Sequence, residues 1–474
     1  MIGRAFSGCL VVCSVFACSS NEGGAAHETG GVSAGGASSS AGANASSAGV
    51  SGKGSGGAAA SAGAASTAGG STVGVGGSGG TAASNGGSGG IIGSGGTHVG
   101  GSGGQKSTPI PVKDLPAIKE LPDPLTMKDG TKVTTPEQWK LRRREMIQIL
   151  EDYEYGHMPP PPGNVKATTT TALRRITVSS ELEADYQMLH LTFGPGEKLN
   201  FDLGLFTPVS STAGTKHPVL ISLTSSTNDK SIGAASAALS RGYAVATVPY
   251  QKLGADSASW ASSAFFPSYP DYDWRDISAW AWGLSRAVDY LLTEPSIDPD
   301  KIMITGVSRL GQAVLLAGAF DERIALSAPV AGGAAFRFSG KEMGGGRGQG
   351  ITEIVDQNTY WFGPRFPEFK NQTPRLPSDQ HWLPALTAPR LFIMCNSLSD
   401  EYGRAYAVVQ SYLGAKPVYQ FLGADPNLGL YFRAGGHGMT AEDWSALLDF
   451  SDQYLRKLPG TRKFDVLPPA NQTP

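Results

Sequence analysis

Cysteine is scarce in this chain, and its placement excludes two classes of protein. The 474 residues contain four cysteines: Cys9, Cys13 and Cys18 lie at the very start, and Cys395 stands alone in the remaining sequence. A disulfide framework needs several cysteines within a domain, and a cysteine-ligated zinc site needs them in close pairs. Neither can be built from this set, so Cys395 is predicted to be a small buried residue.

An excess of charge of one sign is also missing, and so is any long apolar run. Lys and Arg number 38 against 40 Asp and Glu, which gives a formal net charge of −2. Without a basic stripe, we expect no nucleic-acid partner. No stretch of about 18 apolar residues predicts a transmembrane helix. The sequence carries little information on oligomeric state, and we expect a monomer.

The first 18 residues are predicted to be an export signal. Arg4 supplies positive charge, and residues 9–17 are mostly apolar but too few to span a bilayer. The sequence Val-Phe-Ala-Cys at 15–18 resembles a bacterial lipoprotein box, in which Cys18 becomes the lipidated first residue. We therefore expect a cell-surface or outer-membrane lipoprotein that contacts the membrane only through its lipid. The alternatives are plain secretion with cleavage nearby, and a short leader without lipid.

Residues 19–106 are almost entirely Gly, Ser, Ala and Thr. Such a composition cannot bury enough apolar surface to offset the entropy lost on ordering, so a disordered tether is predicted. Its roughly 90 residues would have a root-mean-square reach of about 50 Å. That reach suits a catalytic domain held off a cell surface while it samples an insoluble substrate, and a passive linker fits equally well.

Residues 107–474 have the pattern of one α/β domain. A helix is predicted over 135–155, with Thr135 as its N-cap, and residues 175–208 have the alternation of antiparallel strands. Strands and helices then alternate, which predicts a mostly parallel sheet covered on both faces, with ligands bound beyond the carboxyl ends of its strands. The predicted strands are 219–223, 243–248, 302–305, 324–330, 391–394 and 418–422, and the predicted helices are 231–241, 277–292, 312–320 and 444–455.

The segment 306–311, Gly-Val-Ser-Arg-Leu-Gly, joins a predicted strand to a predicted helix. A serine at such a turn stands clear of the sheet, and the helix directs its first N–H groups at an oxyanion formed beside it. Ser308 is therefore a candidate nucleophile for acyl transfer, although the second glycine comes one place later than in G-x-S-x-G. The N–H or guanidinium of Arg309 is a candidate oxyanion donor; the alternative is a surface arginine paired with an acid.

A serine nucleophile needs a base and an acid that orients the base. His437 lies in the glycine-rich segment 433–438 before the last helix, which is where α/β-hydrolases place the base. His381 is the other histidine considered, either in the wall of the site or structural. Asp400, after the strand 391–394, is the candidate acid, and its neighbour Glu401 is the alternative.

Together these segments resemble the glucuronoyl esterases of carbohydrate esterase family 15, over about residues 121–458. The segment 306–311 is similar to that family's G-x-S-R-x-G serine motif, which accounts for the late glycine. The other matching segments are Leu-Pro-Asp-Pro at 121–124, Thr-Thr-Pro-Glu-Gln-Trp at 134–139, Ala-Trp-Ala-Trp-Gly-Leu-Ser-Arg at 279–286, Phe-Asp-Glu-Arg-Ile at 320–324, Asp-Gln-His at 379–381, Ala-Pro-Arg at 388–390 and Gly-Gly-His at 435–437.

This resemblance implies an α/β-hydrolase fold, a three-layer αβα sandwich, with a Ser-His-acid triad and neither metal nor other cofactor. It implies cleavage of 4-O-methyl-glucuronoyl esters that join glucuronoxylan to lignin, so the expected partner is plant cell-wall polysaccharide. Ser308 would be the nucleophile, His437 the base and Arg309 part of the oxyanion site.

Three departures from the family pattern concern the acid and the sugar contacts. Gln312 stands where the family usually has a lysine that binds the uronate. The segment 330–333 lacks the acid found there in many members, which favours Asp400 or Glu401. Tyr402 replaces a tryptophan that stacks on the sugar, and Gln349 and Glu353 are candidates for the remaining sugar contacts.

The departures keep two other functions open. One is an esterase of the same fold that acts on acetylated xylan or another sugar ester, which Gln312 motivates. The other is a catalytically weakened, carbohydrate-binding relative, which the missing acid motivates, although Ser308, Arg309 and His437 argue against it.

The lipoprotein hypothesis predicts that Cys18 is acylated. Expressed as the full chain in a bacterial host, the protein should incorporate a palmitate analogue, and Cys18→Ala should abolish the label because no other acceptor lies in the box. Cys13→Ala is the matched control and should be labelled like the unchanged chain. Equal labelling of Cys18→Ala would exclude lipidation at this position.

Overall fold

The computed structural model describes residues 108–469 except 211, 213, 229, 231 and 342–346. The predicted signal 1–18, the acceptor Cys18 and the tether 19–106 lie outside these residues. Among the residues that are described, no helix is both long enough and apolar enough to cross a membrane.

A nine-stranded sheet forms the centre of the described part of the chain, with the strand order β1-β2-β3-β5-β4-β6-β7-β8-β9. The first three strands and β5 pair antiparallel, and all pairs from β5 through β4 to β9 are parallel. The strands are β1 Lys166–Ser179, β2 Leu182–Phe193, β3 Leu199–Pro208, β4 His217–Thr224, β5 Ala244–Pro249, β6 Ile297–Val307, β7 Leu326–Val330, β8 Leu391–Ser397 and β9 Leu428–Arg433.

Helices cover both faces of this sheet. Val219 and Ile221 of β4 join a core that also contains residues of α1, α3, α4, α6 and α7, whereas Leu220 between them joins a second core with α2 and α8. Both faces of the parallel strands are therefore buried, which is why these strands are apolar at successive positions. The helices are α1 Pro136–Leu150, α2 Ser236–Ser240, α3 Asp276–Leu291, α4 Arg309–Phe320, α5 Ile351–Gln357, α6 Trp382–Thr387, α7 Ala405–Phe421 and α8 Ala441–Tyr454.

This architecture confirms the predicted α/β-hydrolase sandwich and the antiparallel strands at its start. Helix α1 begins as predicted, because the Thr135 side chain accepts from the Gln138 N–H and the Gln138 side chain reaches back to the Thr135 N–H. It ends earlier than predicted, at Leu150, and a π-helical turn over Glu151–Tyr155 follows.

One predicted strand is wrong. Residues 418–422 have strand-forming side chains, but the structure places Val418 and Tyr419 at the end of helix α7. Tyr419 is fully buried on the side of the helix that carries Tyr412 and Ala415, so burial of one helical face outweighs local strand propensity. The strand of this region is β9 at Leu428–Arg433.

Close packing of α4 on β7 yields a prediction about stability. A Cβ added at Gly318 of α4 would lie 2.1 Å from the Ser327 Oγ, which is buried and has no hydrogen-bond partner in the described residues. We expect Gly318→Ala to lower the free energy of unfolding by about 1–3 kcal/mol through overpacking. Ser327→Ala should be nearly neutral alone and should restore part of the loss in the double variant, as measured by urea unfolding. A double variant no more stable than Gly318→Ala would contradict this account of the packing.

Candidate active site

Ser308 occupies a strained turn between β6 and α4. Its φ of 59° and ψ of −126° lie in a region that residues other than glycine rarely adopt. Such strain persists only where the surrounding structure enforces it, and the Ser308 N–H is held by the Val330 carbonyl at 2.9 Å. The turn places the serine side chain at the carboxyl edge of the sheet, beside the first turn of α4.

The two glycines of the serine segment allow the backbone to pass close to itself. A Cβ at Gly306 would lie 2.8 Å from the Leu310 carbonyl oxygen. A Cβ at Gly311 would lie 3.0 Å from the Val330 oxygen and 3.2 Å from the Gly306 oxygen. Gly311, the second glycine of the serine segment, is therefore the residue of α4 that faces the ends of β6 and β7, where little space is left for a side chain.

His437 and Asp400 contact each other directly. The His437 Nδ1 lies 3.0 Å from each carboxylate oxygen of Asp400. Asp400 follows β8 and is 4% exposed, and one of its oxygens also accepts from the N–H groups of Tyr402 at 2.9 Å and Gly403 at 3.0 Å. A carboxylate on Nδ1 keeps the proton on that nitrogen and leaves Nε2 free to accept another.

The charge on Asp400 is stabilised by its neighbours. Burial by itself raises the pKa of Asp400, but the hydrogen bond and charge of His437, with the two backbone N–H groups, outweigh burial and hold the pKa below its ordinary value. Asp400 is therefore ionised at neutral pH, as a group that orients a histidine and stabilises its protonated form must be.

Glu401, the alternative acid, points elsewhere. Its side chain is about half exposed and lies 3.8 Å from the guanidinium of Arg347. The next residue, Tyr402, packs edge-on against the His437 ring with their centroids 4.9 Å apart, and its hydroxyl accepts from Arg347 at 2.8 Å.

The side chain of Arg309 is paired with an acid. Its Nε lies 2.7 Å from Asp256, and its Nη2 donates to the Tyr250 hydroxyl at 3.2 Å. Asp256 also accepts from the Trp361 indole N–H at 2.8 Å, which fixes the carboxylate from a second direction. The backbone of Arg309 begins α4, where N–H groups have no acceptor within the helix.

A cleft brings most of the predicted site residues together. Those that line it are Ser308, Arg309, Gln312, Gln349, Tyr402 and His437, and Asp400 lies behind His437. Sequence reasoning missed its apolar wall, formed by Phe336, Ile354, Trp361 and Phe362. No periodic or motif signal marks these residues, since they lie in loops and short helices between β7 and α6.

Two predicted contact residues lie away from the cleft. His381 is fully buried, donates from Nε2 to the Pro122 carbonyl at 2.8 Å, and has a pKa lowered to about 4 by burial. This is the structural alternative considered for it. Glu353 is 8% exposed, and its carboxylate accepts from the Gly350 N–H at the start of α5. Across the described residues, no three His, Cys, Asp or Glu side chains form a group that could hold a metal ion.

A strained serine between a parallel strand and a helix, with a histidine–carboxylate pair in the same cleft, defines the class of protein as an α/β-hydrolase. A family model described as "Glucuronyl esterase, fungi" matches residues 194–423. Carbohydrate esterase MZ0003, from an unknown prokaryotic organism, is 30% identical over 402 residues, which cover 71% of this chain and 89% of that protein.

Two further relatives carry more specific names. The 4-O-methyl-glucuronoyl methylesterase of Podospora anserina is 30% identical over 364 residues, 73% of this chain and 70% of its own. The solved family 15 glucuronoyl esterase of Caldicellulosiruptor kristjansonii is 33% identical, with a TM-score of 0.63 over 75% of this chain and 95% of its own. The chain belongs to the glucuronoyl esterases of carbohydrate esterase family 15, as its motifs predicted, and is a carboxylic ester hydrolase.

The contacts of Asp400 and Glu401 predict opposite outcomes for their amide variants. Asp400→Asn should lower kcat for a glucuronate ester by about 10²–10⁴-fold, because the amide neither holds the His437 proton on Nδ1 nor stabilises the imidazolium. Glu401→Gln is the matched control and should change kcat by less than about threefold, because its carboxylate faces Arg347 in solvent. Equal losses in both variants, or a loss only in Glu401→Gln, would contradict this assignment.

Proposed function

We propose that the protein hydrolyses 4-O-methyl-glucuronoyl esters, such as those between glucuronoxylan and lignin, with Ser308, His437 and Asp400 as nucleophile, base and acid. The observation that carries the proposal is the His437–Asp400 pair in the cleft that Ser308 lines. Membership in the glucuronoyl esterase family supports the substrate class.

In this mechanism the Ser308 Oγ attacks the ester carbonyl while His437 Nε2 takes the hydroxyl proton. The carbon–oxygen bond to the alcohol then breaks, and His437 returns the proton to the departing alcohol. Water attacks the resulting acyl-enzyme with His437 again as base, and the products are a uronic acid and free Ser308. Asp400 stays ionised throughout and stabilises the imidazolium in each step.

Arg309 is assigned to the oxyanion. Its backbone N–H begins α4, so the N–H and the helix dipole favour negative charge on the carbonyl oxygen beside Ser308. Its guanidinium is held beside the cleft in a fixed position by Asp256 and Tyr250.

Sugar recognition is assigned to Gln312, Gln349 and Tyr402, which supply polar groups to the cleft, and to its aromatic wall. The Gln312 Oε1 is buried and has no hydrogen-bond partner among the described residues. A sugar hydroxyl at this position would supply the missing donor. Phe336, Trp361 and Phe362 line the cleft and add apolar surface for contact with a pyranose ring or an aromatic alcohol.

We further propose that the enzyme works outside the cell, held there by the lipid on Cys18 or freely secreted. The substrate supports this, because an ester within an insoluble wall polymer cannot enter a cell. The predicted signal at 1–18 and the long Gly/Ser-rich segment after it fit the same location.

Gln312 favours a second candidate, an esterase for acetylated xylan or another sugar ester. Gln312 lines the cleft and is uncharged, so it can bind a hydroxyl group without favouring a uronate. The chemistry of Ser308 and His437 would be unchanged, and only the acyl group would differ.

A substrate comparison tests both candidates. We expect the full chain to hydrolyse benzyl glucuronate with a kcat/KM well above that for 4-nitrophenyl acetate or acetylated xylan. Ser308→Ala should lower kcat by at least about 10⁴-fold on each ester that is turned over. Ser327→Ala is the matched control, because this buried serine lies outside the cleft, and its rate should stay near that of the unchanged chain.

The results of this comparison distinguish the two candidate functions. A preference for acetyl esters that depends on Ser308 would overturn the uronate proposal in favour of the second candidate. Turnover of glucuronate esters that survives Ser308→Ala would reject the assigned nucleophile.

A further inference from the structure

The loop between β9 and α8 has to hold a histidine in place although three of its residues are glycines. It contains Gly435, Gly436 and Gly438 around His437. Gly435 and Gly438 have φ values of 93° and 126°, which side chains rarely adopt. Glycine loses more conformational freedom on ordering than any other residue, so this loop needs strong contacts to keep one conformation.

Three of the loop's contacts come from one side chain, Arg433, at the end of β9. Its Nη1 donates to the carbonyls of Ala434 at 2.9 Å and Gly436 at 3.2 Å, and its Nη2 donates to Gly438 at 2.5 Å. The guanidinium thus binds the carbonyls on both sides of His437. A planar group with five donors can do this, and an ammonium group cannot.

A buried counter-charge holds the guanidinium itself. The Arg433 Nε donates to the Asp443 carboxylate at 2.5 Å, and both side chains are almost completely buried. Asp443 also accepts from the N–H of Thr440 at 2.8 Å and from its hydroxyl at 3.1 Å, at the start of α8. A buried ion pair of this kind is stable only when such further hydrogen bonds satisfy it.

The same residue also connects the histidine loop to the loop that carries Asp400. The Arg433 carbonyl accepts from the Leu398 N–H at 2.8 Å, and the Gly435 carbonyl accepts from the Ser399 N–H at 3.2 Å. Asp400 directly follows Ser399. The backbone that Arg433 orders is therefore bonded to the backbone that positions the carboxylate.

We propose that Arg433 is a positioning residue that holds His437 in contact with Asp400. Arg433 is not among the residues that line the cleft, and its effect passes through the carbonyls of Ala434, Gly436 and Gly438. Its relevance to catalysis rests on the proposed function, in which His437 is the base. A displacement of a catalytic group by about 1 Å costs on the order of 10²-fold in rate.

Two variants and a matched control test the proposal in the full chain. Arg433→Ala removes the guanidinium, and Arg433→Lys keeps the charge but not the forked donors, so it serves if the alanine variant does not fold. Arg390 is the control, because it also donates to three carbonyls, Asp321 at 3.0 Å, Ile324 at 2.9 Å and Gly318 at 2.6 Å. It precedes β8 at the opposite edge of the sheet, so Arg390→Ala costs stability without touching the histidine loop.

The direct readout is the proton on His437 Nδ1, which should give a far-downfield proton resonance that is absent in His437→Gln. We expect Arg433→Ala and Arg433→Lys to lose or broaden this resonance while the folded fraction, measured by circular dichroism, stays high. Arg390→Ala should keep it. This readout does not depend on activity, so it judges the role of Arg433 even if the proposed function fails.

The kinetic readout addresses catalysis. We expect kcat for benzyl glucuronate to fall about 10²-fold in Arg433→Ala with KM changed by less than about threefold, and guanidinium at millimolar concentration to restore part of kcat. Arg390→Ala should keep kcat. A folded Arg433→Ala that retains both the resonance and kcat would overturn the proposal. Full activity in His437→Gln would instead refute the proposed function, and the resonance would still decide on Arg433.

Discussion

The parallel pairing of β6, β7, β8 and β9 is the constraint on which the site depends. At the carboxyl edge, Val307 pairs with Val330, Val330 with Cys395, and Ser397 with Arg433. These pairs lie at the ends of the ladders, so the loops that follow begin side by side. Asp400 and His437 are 37 residues apart in sequence and still meet at 3.0 Å, because each follows the end of a neighbouring strand. A shift of any one ladder would separate Ser308 from the His437–Asp400 pair.

The same edge explains why the carboxylate follows β8 and not β7. After β7 the backbone turns through Ala331, Gly332 and Gly333 directly beside the serine turn. A Cβ at Gly332 would lie 3.3 Å from the Ser308 carbonyl oxygen and 3.3 Å from the Gly311 backbone. Little space is left there for a side chain, whereas Asp400 contacts His437 and has two backbone N–H groups that stabilise its charge. The close packing of Gly332 on the serine turn and the contact of Asp400 with His437 thus lie at the same edge of the sheet.

The aromatic wall depends on a buried polar layer behind it. Asp379 accepts from the backbone N–H groups of Phe336 at 2.7 Å and Arg337 at 3.2 Å, and from the Arg337 guanidinium at 2.9 Å. This fixes the short helix that presents Phe336 to the cleft. The segment that matched the family as Asp-Gln-His at 379–381 is therefore a support: His381 is bonded to Pro122 and its neighbour Asp379 holds the wall. A motif match alone could not distinguish support from contact, because both roles use the same side chains.

Local sequence was sufficient for the parts of this protein that local chemistry controls. The alternation of strands and helices predicted the sandwich, the capping residues predicted the start of α1, and the segment around Ser308 predicted a tight turn between a strand and a helix. Long-range packing decided the rest. Asp400 and Glu401 are adjacent carboxylates of equal chemistry, and only the position of His437 and two N–H groups distinguishes them. Residues 418–422 favour a strand locally, but helix α7 continues into this segment because Tyr419 is buried on one face of that helix. Likewise, the pairing of Arg309 with Asp256 joins residues that are distant in sequence. Such contacts have no period and no fixed spacing, so the tertiary structure alone determines them.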